Sequence, residues 1–189
     1  MSHLTKKALD ESMVELLNTT TLDKITIGDI TNACGVSRQT FYYHFEDIYD
    51  LLEWHFMNEA DTIMNAFPDK SQWAELASAL ANYMISNKSL IRNIYNSIGR
   101  ELLEATILRT STPFIEERIT AISEEYGLNL TKDDIGFYSK LTTYAFSGIM
   151  LDWIKSGMKD DPDIFISKIK NIENNAVKMI RLYMQRSIQ

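Results

Sequence analysis

The segment ITIGDITNACGVSRQTFYYHFEDIYDLL, residues 25–52, decides the fold predicted for this chain. Apolar residues at helical spacing, among them Ile27 and Ile30, predict a short helix. Gly35 is suited to the C-cap or tight turn that ends this helix, and Ser37 is suited to the N-cap of the next. Two short helices joined by a glycine-containing turn form a helix-turn-helix, the motif that this segment predicts.

The second helix carries five consecutive ring side chains at positions 41–45, which cannot all face one core. At about 100° per residue, Phe41 and Phe45 share a face and Tyr43 lies opposite them. Tyr42 and His44 fall on the two flanks. The predicted core of the helix-turn-helix consists of Ile30, Ala33, Val36, Phe41 and Phe45.

The outward side chains of this helix suit a DNA major groove. Gln39 has the amide that bonds adenine bidentately, and Thr40 has a hydroxyl for a base edge. Arg38 is placed to reach guanine or a phosphate, and Tyr43 a thymine methyl or a phosphate. The flanking Tyr42 and His44 are placed for phosphate oxygens on the groove walls. Packing of these two rings against neighbouring helices is the alternative that the sequence leaves open.

The quoted segment resembles the DNA-binding segment of the TetR family. The shared pattern is an I-x-x-I helix, then A-x-G-V-S, then T-[FL]-Y-x-[HY]-F and a leucine-rich helix. Helix pattern and resemblance together give these expected DNA-binding residues: Thr26, Ser37, Arg38, Gln39, Thr40, Tyr42, Tyr43 and His44. One position departs from the family, because Ile48 stands where members often have a lysine that pairs with a phosphate.

A second resemblance extends beyond this segment. RQTFYYHFEDIYDLLEW (38–54) and FYSKLTTYAFSGIMLDWIKSGM (137–158) are similar to TetR-type regulators related to dihydroxyacetone-kinase regulators of Gram-positive bacteria. The resemblance implies a C-terminal domain that senses an effector and dimerises. The effector, a small molecule or a protein partner, is not identified by any residue of the sequence.

The whole chain is predicted to be all-α, with about nine helices. Glycine (7) and proline (3) are scarce among 189 residues, and no segment alternates in the manner of a strand. A DNA-binding domain is expected over 1–66 and an effector-sensing and dimerisation domain over 67–189. Expected C-terminal helices run from about Thr112 to Tyr126, from Thr131 to Gly157, and from Pro162 onward.

The helix expected over 131–157 is apolar on nearly all sides, so both of its faces must be covered. We expect one side to face its own core and the other a second copy of the chain, together with the last helix. The predicted dimer interface consists of Tyr144, Ser147, Gly148, Leu151, Ile172, Ala176, Met179 and Tyr183. Such a homodimer would place two recognition helices about 34–36 Å apart on a pseudo-palindromic operator. We expect a repressor that its effector releases from DNA.

The charge distribution argues against tight electrostatic binding to DNA. Residues 1–66 hold four Lys/Arg against eleven Asp/Glu, a balance of −7, whereas residues 67–189 are neutral. A broad basic surface is the usual sign of a nucleic-acid-binding domain. The alternative interpretation is therefore a helical interaction protein or co-regulator, whose helix-turn-helix binds DNA weakly and depends on a protein partner.

Catalysis, cofactors and metals are not expected. The sequence has no phosphate-binding glycine loop, no nucleophile elbow and no spacing typical of metal ligands. The lone Cys34 makes no intramolecular disulfide, and neither a signal peptide nor an apolar run long enough to span a membrane is evident. A cytoplasmic location is therefore predicted.

Overall fold

The computed structural model describes residues 2–67, 73–97, 100–161, 163–164, 166–168, 171 and 175. Within these ranges the chain is all-α, as predicted, and has no β-strand. The α-helices are α1 (Ser2–Leu17), α2 (Ile27–Cys34), α3 (Arg38–His44), α4 (Ile48–Asn65), α5 (Trp73–Ser86), α6 (Lys88–Tyr95), α7 (Arg100–Tyr126) and α8 (Lys132–Lys155), and a 3-10 helix spans Leu22–Lys24. No helix in these ranges has both the length and the apolar character needed to cross a membrane.

Local capping signals set the ends of the N-terminal helices. Gly35 ends α2 in the left-handed conformation (φ 72°), which a residue with a side chain rarely adopts. Ser37 caps α3 by accepting a hydrogen bond from the backbone N–H of Thr40 at 3.0 Å. Asp47 caps α4 in the same way, through the N–H of Asp50. The predicted roles of Gly35 and Ser37 as caps are confirmed.

Helix α7 differs from the prediction, because it does not start near Thr112 but runs unbroken from Arg100 through Pro113 to Tyr126. Proline cannot donate a backbone hydrogen bond inside a helix. Just before it, the Ser111 and Thr112 hydroxyls donate to carbonyls one turn earlier, at 2.5 and 2.6 Å. Packing of α7 along α8 holds this helix together across the proline.

Helix α8 begins and ends close to the predicted bounds. Thr131 and Asp134 form a capping box at its start, since the side chain of each residue bonds the backbone N–H of the other. Of the last predicted helix, the described residues 163–164, 166–168, 171 and 175 are helical. The predicted interface residues Ile172, Ala176, Met179 and Tyr183 lie outside the described residues.

Among the described residues, one hydrophobic cluster joins the N-terminal helices to the C-terminal ones. Leu9, Met13 and Leu17 of α1 are fully buried, as are Leu90 and Ile94 of α6, and all five belong to the same apolar cluster. The cluster continues through α4 and into α8. The N-terminal helices, to which α3 belongs, are therefore packed directly on the C-terminal helices.

Candidate DNA-binding site

Helix α3 separates its rings into two sets. Phe41 and Phe45 are buried, with 0% and 3% of their surface exposed, whereas Tyr42 and Tyr43 are 60% and 81% exposed. Gln39 is also exposed. Helix α3 is thus anchored by Phe41 within it and by Phe45 at its C-cap, and presents a polar, aromatic face to solvent.

The core beneath α3 departs from the prediction at one position. Ile30 is fully buried and Val36 is partly buried, but Ala33 is exposed. Thr31 is buried instead, and its hydroxyl donates to the carbonyls of Ile27 and Gly28 at 2.9 and 3.2 Å. Because those bonds satisfy the hydroxyl inside the helix, a threonine can replace an apolar residue on the packed face.

The first turn of α3 has its hydroxyls paired. The Oγ of Ser37 and the Oγ1 of Thr40 lie 2.8 Å apart, and Ser37 also accepts from the Thr40 backbone. Ser37 is exposed and Thr40 is half-buried. The pair orders the N-terminal end of α3, where its free N–H groups favour an anion.

At the start of α2, Thr26 is already engaged by the chain itself. Its backbone N–H and hydroxyl donate to Asp29 Oδ2 at 2.8 and 2.6 Å, and it accepts from the Asp29 backbone. These bonds, the side-chain one first, hold the pKa of the Asp29 carboxyl below its ordinary value of 3.8, and Arg38 lowers it further. The carboxylate of Asp29 therefore lies at the N-terminus of α2, next to the threonine expected to meet a phosphate.

Arg38 extends from α3 towards α2. A β-carbon added to Gly28 would come 2.5 Å from Arg38 Nη2, so the guanidinium lies directly against the glycine. Arg38 is nevertheless exposed. Gly28, which provides the space for this arginine, was not among the predicted site residues.

The flanking rings adopt edge-to-face contacts with their neighbours. Tyr42 meets Phe41 at 5.8 Å between ring centroids, and His44 meets Tyr43 at 4.9 Å with the planes 81° apart. Tyr42 is exposed and His44 half-buried. The contacts orient both rings and leave most of Tyr42 in solvent.

Positive charge is sparse around α3. Ile48, at the first position of α4, is half-buried and packs against the core. The Lys6 amine lies over the rings of Phe45 and Trp54, at 5.0 and 5.9 Å from their centroids. Arg38 is the residue of α3 itself that carries a permanent positive charge.

The predicted dimer residues of α8 fall on two sides of the helix. Tyr144 is 55% exposed and Gly148 is exposed, but Ser147 and Leu151 are 3% and 7% exposed. Ser147 and Leu151 therefore face the core of their own chain and cannot contact a partner without repacking. The exposed side carries further apolar residues, which the predicted interface omitted: Phe137, Leu141 and Ile149.

This geometry, with a buried α2–turn–α3 core and an exposed polar-aromatic α3 face, defines the class of helix-turn-helix transcription regulators. Two family models match the chain: "Bacterial regulatory proteins, tetR family" over residues 13–53 and "Transcriptional regulator C-terminal region" over residues 71–175. The second match covers more than half of the chain, which therefore belongs to the TetR family of transcriptional regulators. The resemblance inferred from the sequence is confirmed.

Individual relatives agree with this assignment. A transcriptional activator of the dhaKLM operon, DhaS from Lactococcus lactis, is 27% identical over 94 residues, a match that spans half of each chain. A solved structure of a dihydroxyacetone kinase operon activator DhaS has a TM-score of 0.74 at 20% identity, covering 93% of this chain and 97% of that one. The fatty acid degradation regulator FadR from Bacillus halodurans has a TM-score of 0.65 at 15% identity, covering 88% and 93%. The solved structures establish similarity of fold.

Proposed function

We propose that the protein is a homodimeric transcription regulator whose α3 helices read a pseudo-palindromic operator and whose C-terminal helices respond to an effector. The observation that carries this proposal is the exposed face of α3. Tyr43 is 81% exposed beside Gln39 and Arg38, on a helix that is anchored on its opposite side by the fully buried Phe41. Arginine, glutamine and tyrosine are residues that bond base edges and phosphates in the major groove.

The dimer is supported by the apolar side of α8. Phe137, Leu141, Tyr144 and Ile149 are between 43% and 65% exposed on one helix. Exposed apolar patches of this kind mark interaction surfaces. A second copy of the chain would cover the patch in a two-fold arrangement, in which each α8 meets its symmetry mate.

We infer repression as the mode of action. A dimer that covers promoter DNA blocks transcription without any further contact, whereas activation requires an additional surface for the transcription machinery. Activation is the second candidate, because the relative DhaS is described as an activator. The effector would be a small molecule or a protein partner, and a regulator of chromosomal DNA would act in the cytoplasm.

A gel-shift experiment on DNA flanking the protein's own gene tests the proposal. Arg38→Ala combined with Tyr43→Ala should reduce affinity more than tenfold, since each base contact contributes about 1–3 kcal/mol. The matched control is Lys132→Ala with Tyr126→Ala, which removes one cation and one tyrosine at the α7–α8 connection. Absence of wild-type binding at low salt, or equal loss in both double variants, would contradict the proposal.

A reporter gene under the same flanking DNA decides the mode of action. Deleting the gene should raise expression if the protein represses and lower it if the protein activates.

A further inference from the structure

Helix α1 is joined to the C-terminal helices by a row of three polar side chains, of which His55 is buried and Asp10 and Tyr83 are partly buried. Asp10 of α1 faces His55 of α4, with 2.8 Å between Oδ1 and Nδ1, and both of these atoms are buried. On the other side of the ring, Nε2 lies 3.0 Å from the hydroxyl of Tyr83 on α5. Only 6% of the surface of His55 is exposed. The row crosses from the N-terminal helices to the C-terminal ones.

Tyr83 enters this row as a neutral phenol. Burial first, and then the charges of Glu59 and Asp10, raise the pKa of this phenol far above its ordinary value. Its hydroxyl therefore stays protonated at neutral pH and lies within hydrogen-bonding distance of His55 Nε2, with the donor set by the tautomer of the ring. On the opposite side of the ring, Nδ1 faces the Asp10 carboxyl group. The row thus brings together a carboxyl group, an imidazole and a phenol from three helices.

A second polar contact holds the end of the same helix. The Asn93 side chain of α6 donates to the backbone carbonyl of Leu17 at 2.8 Å. Leu17 is the last residue of α1, and carbonyls at a helix end have no partner within the helix. Asp10 and Leu17 are about two helical turns apart, roughly 10 Å along α1. The helix is thus held at its middle and at its end.

We propose that these contacts form a two-point clamp that sets the angle at which the α2–α3 unit projects from the C-terminal helices. The clamp consists of Asp10, His55 and Tyr83 at one point and of Asn93 with the Leu17 carbonyl at the other. The Asn93–Leu17 hydrogen bond alone permits rotation of α1 about it, whereas the close contact of Asp10 with His55 adds a second fixed point on the helix. The surrounding apolar contacts are non-directional and tolerate small rotations.

In a dimer this angle sets the distance between the two α3 helices, and hence the spacing of operator half-sites that both can reach. This consequence rests on the proposed function. The members of the clamp are positioning residues, whose effect on DNA binding passes through α1. They should therefore control which spacing is preferred rather than which bases are read.

The preference for one half-site spacing tests the clamp. A loss of stability alone would lower the affinity for DNA at every spacing and leave that preference unchanged. The probes are duplexes that the wild-type protein selects from a random pool, and the same duplexes with one base pair inserted or deleted between the half-sites. Tyr83→Phe and Asn93→Leu, which keep their volume, should each weaken the preference for the selected spacing by about fivefold, the effect of one lost hydrogen bond. The control Tyr95→Phe, on α6, should keep the wild-type preference. Affinity reduced equally at every spacing would overturn the clamp.

A measurement without DNA separates failure of the clamp from failure of the proposed function. Spin labels at Asp23→Cys and Glu125→Cys, two exposed positions, would be introduced in a Cys34→Ala background and diluted with unlabelled protein. The clamp requires one narrow distance distribution in the parent and in Tyr95→Phe, and broader ones in Tyr83→Phe and Asn93→Leu. Identical distributions in all four proteins would overturn it. If the wild-type protein selects no DNA, the proposed function fails and the distances alone decide the clamp.

Discussion

The guanidinium of Arg38 in α3 rests against Gly28 in α2, where a β-carbon would come within 2.5 Å of Nη2. The two helices of the motif are therefore complementary at this pair, because the glycine of α2 leaves room for the long side chain of the arginine of α3. Asp29 follows the glycine, and its charge acts on the same arginine. The direction in which the Arg38 side chain extends from the domain therefore depends on α2 as much as on α3.

Replacing Gly28 with alanine should weaken DNA binding and leave the fold intact. The new methyl group would displace the flexible end of Arg38, while alanine in a helix is more favourable than glycine by about 0.5–1 kcal/mol. We expect operator affinity to fall by about tenfold, equivalent to one base contact, with little change in the melting temperature. Binding titrations and thermal unfolding of the same preparations provide the measurement.

The matched control for this change is Gly136→Ala in α8, where an added β-carbon meets no atom within 4 Å. It should raise stability slightly and leave DNA binding unchanged. Wild-type affinity in Gly28→Ala would mean that the position of Arg38 is unimportant for binding.

Ile48→Lys should raise affinity for DNA and make it more sensitive to salt. The position is at the start of α4 and half-buried, so a lysine can extend its amine to solvent. Each new phosphate contact steepens the dependence of log K on log salt by about 0.9, and a dimer would gain about two such contacts. Ile48→Gln is the uncharged control, and equal salt slopes for the two variants would exclude a phosphate near this position.

Leu141→Asp should convert the protein to a monomer. Leu141 is 57% exposed in the apolar row of α8, so burying a carboxylate there against a second copy is unfavourable. The control Leu4→Asp makes the same substitution at a leucine that is 75% exposed at the start of α1. This variant should keep the molecular mass of a dimer in solution. Sedimentation equilibrium distinguishes the two. A dimeric Leu141→Asp protein would place the interface elsewhere.

The capping box of α2 should contribute stability that is lost in acid. Thr26 holds the pKa of Asp29 below 3.8, so the folded protein keeps this carboxylate ionised where the unfolded chain, with a pKa of about 3.9, is protonated. The contribution is complete above the unfolded pKa and is lost as the pH falls through the lower folded value.

Carboxyl carbon NMR titration measures the pKa of Asp29 directly. Asp134, whose carboxyl is held by Thr131 in the second capping box, should also titrate below 3.8. The stability difference between the wild type and Asp29→Asn should shrink across the same acidic range. An Asp29 pKa at or above 3.8 would contradict the bonding described at Thr26.

Much of the motif was predictable from sequence because its determinants are local. Gly35, Ser37 and Asp47 act on backbone groups within a few residues, so their spacing predicts the helix ends. The division of the α3 rings also follows from helical periodicity, which leaves Phe41 on the packed face and Tyr43 opposite it.

Other features depend on contacts that no local pattern reports. Ala33 was expected in the core, but a short helix defines its packed face poorly and the hydroxyl of Thr31 is satisfied within the helix. The start predicted at Thr112 was wrong because packing along α8 carries α7 through Pro113. The row through His55 joins it to Asp10, 45 positions earlier, and to Tyr83, 28 positions later. Helical periodicity carries no information at such separations.

The carboxylate of Asp29 at the start of α2 has a consequence for the search along DNA. Helix N-termini usually attract phosphates, and here the Asp29 carboxylate already accepts from the Thr26 backbone N–H, while the Thr26 hydroxyl accepts from the Asp29 N–H. Any passing phosphate must compete with this resident carboxylate, so indiscriminate contacts gain little. A domain of this kind would spend little time on random sequence and would remain only where the side chains of α3 find matching bases.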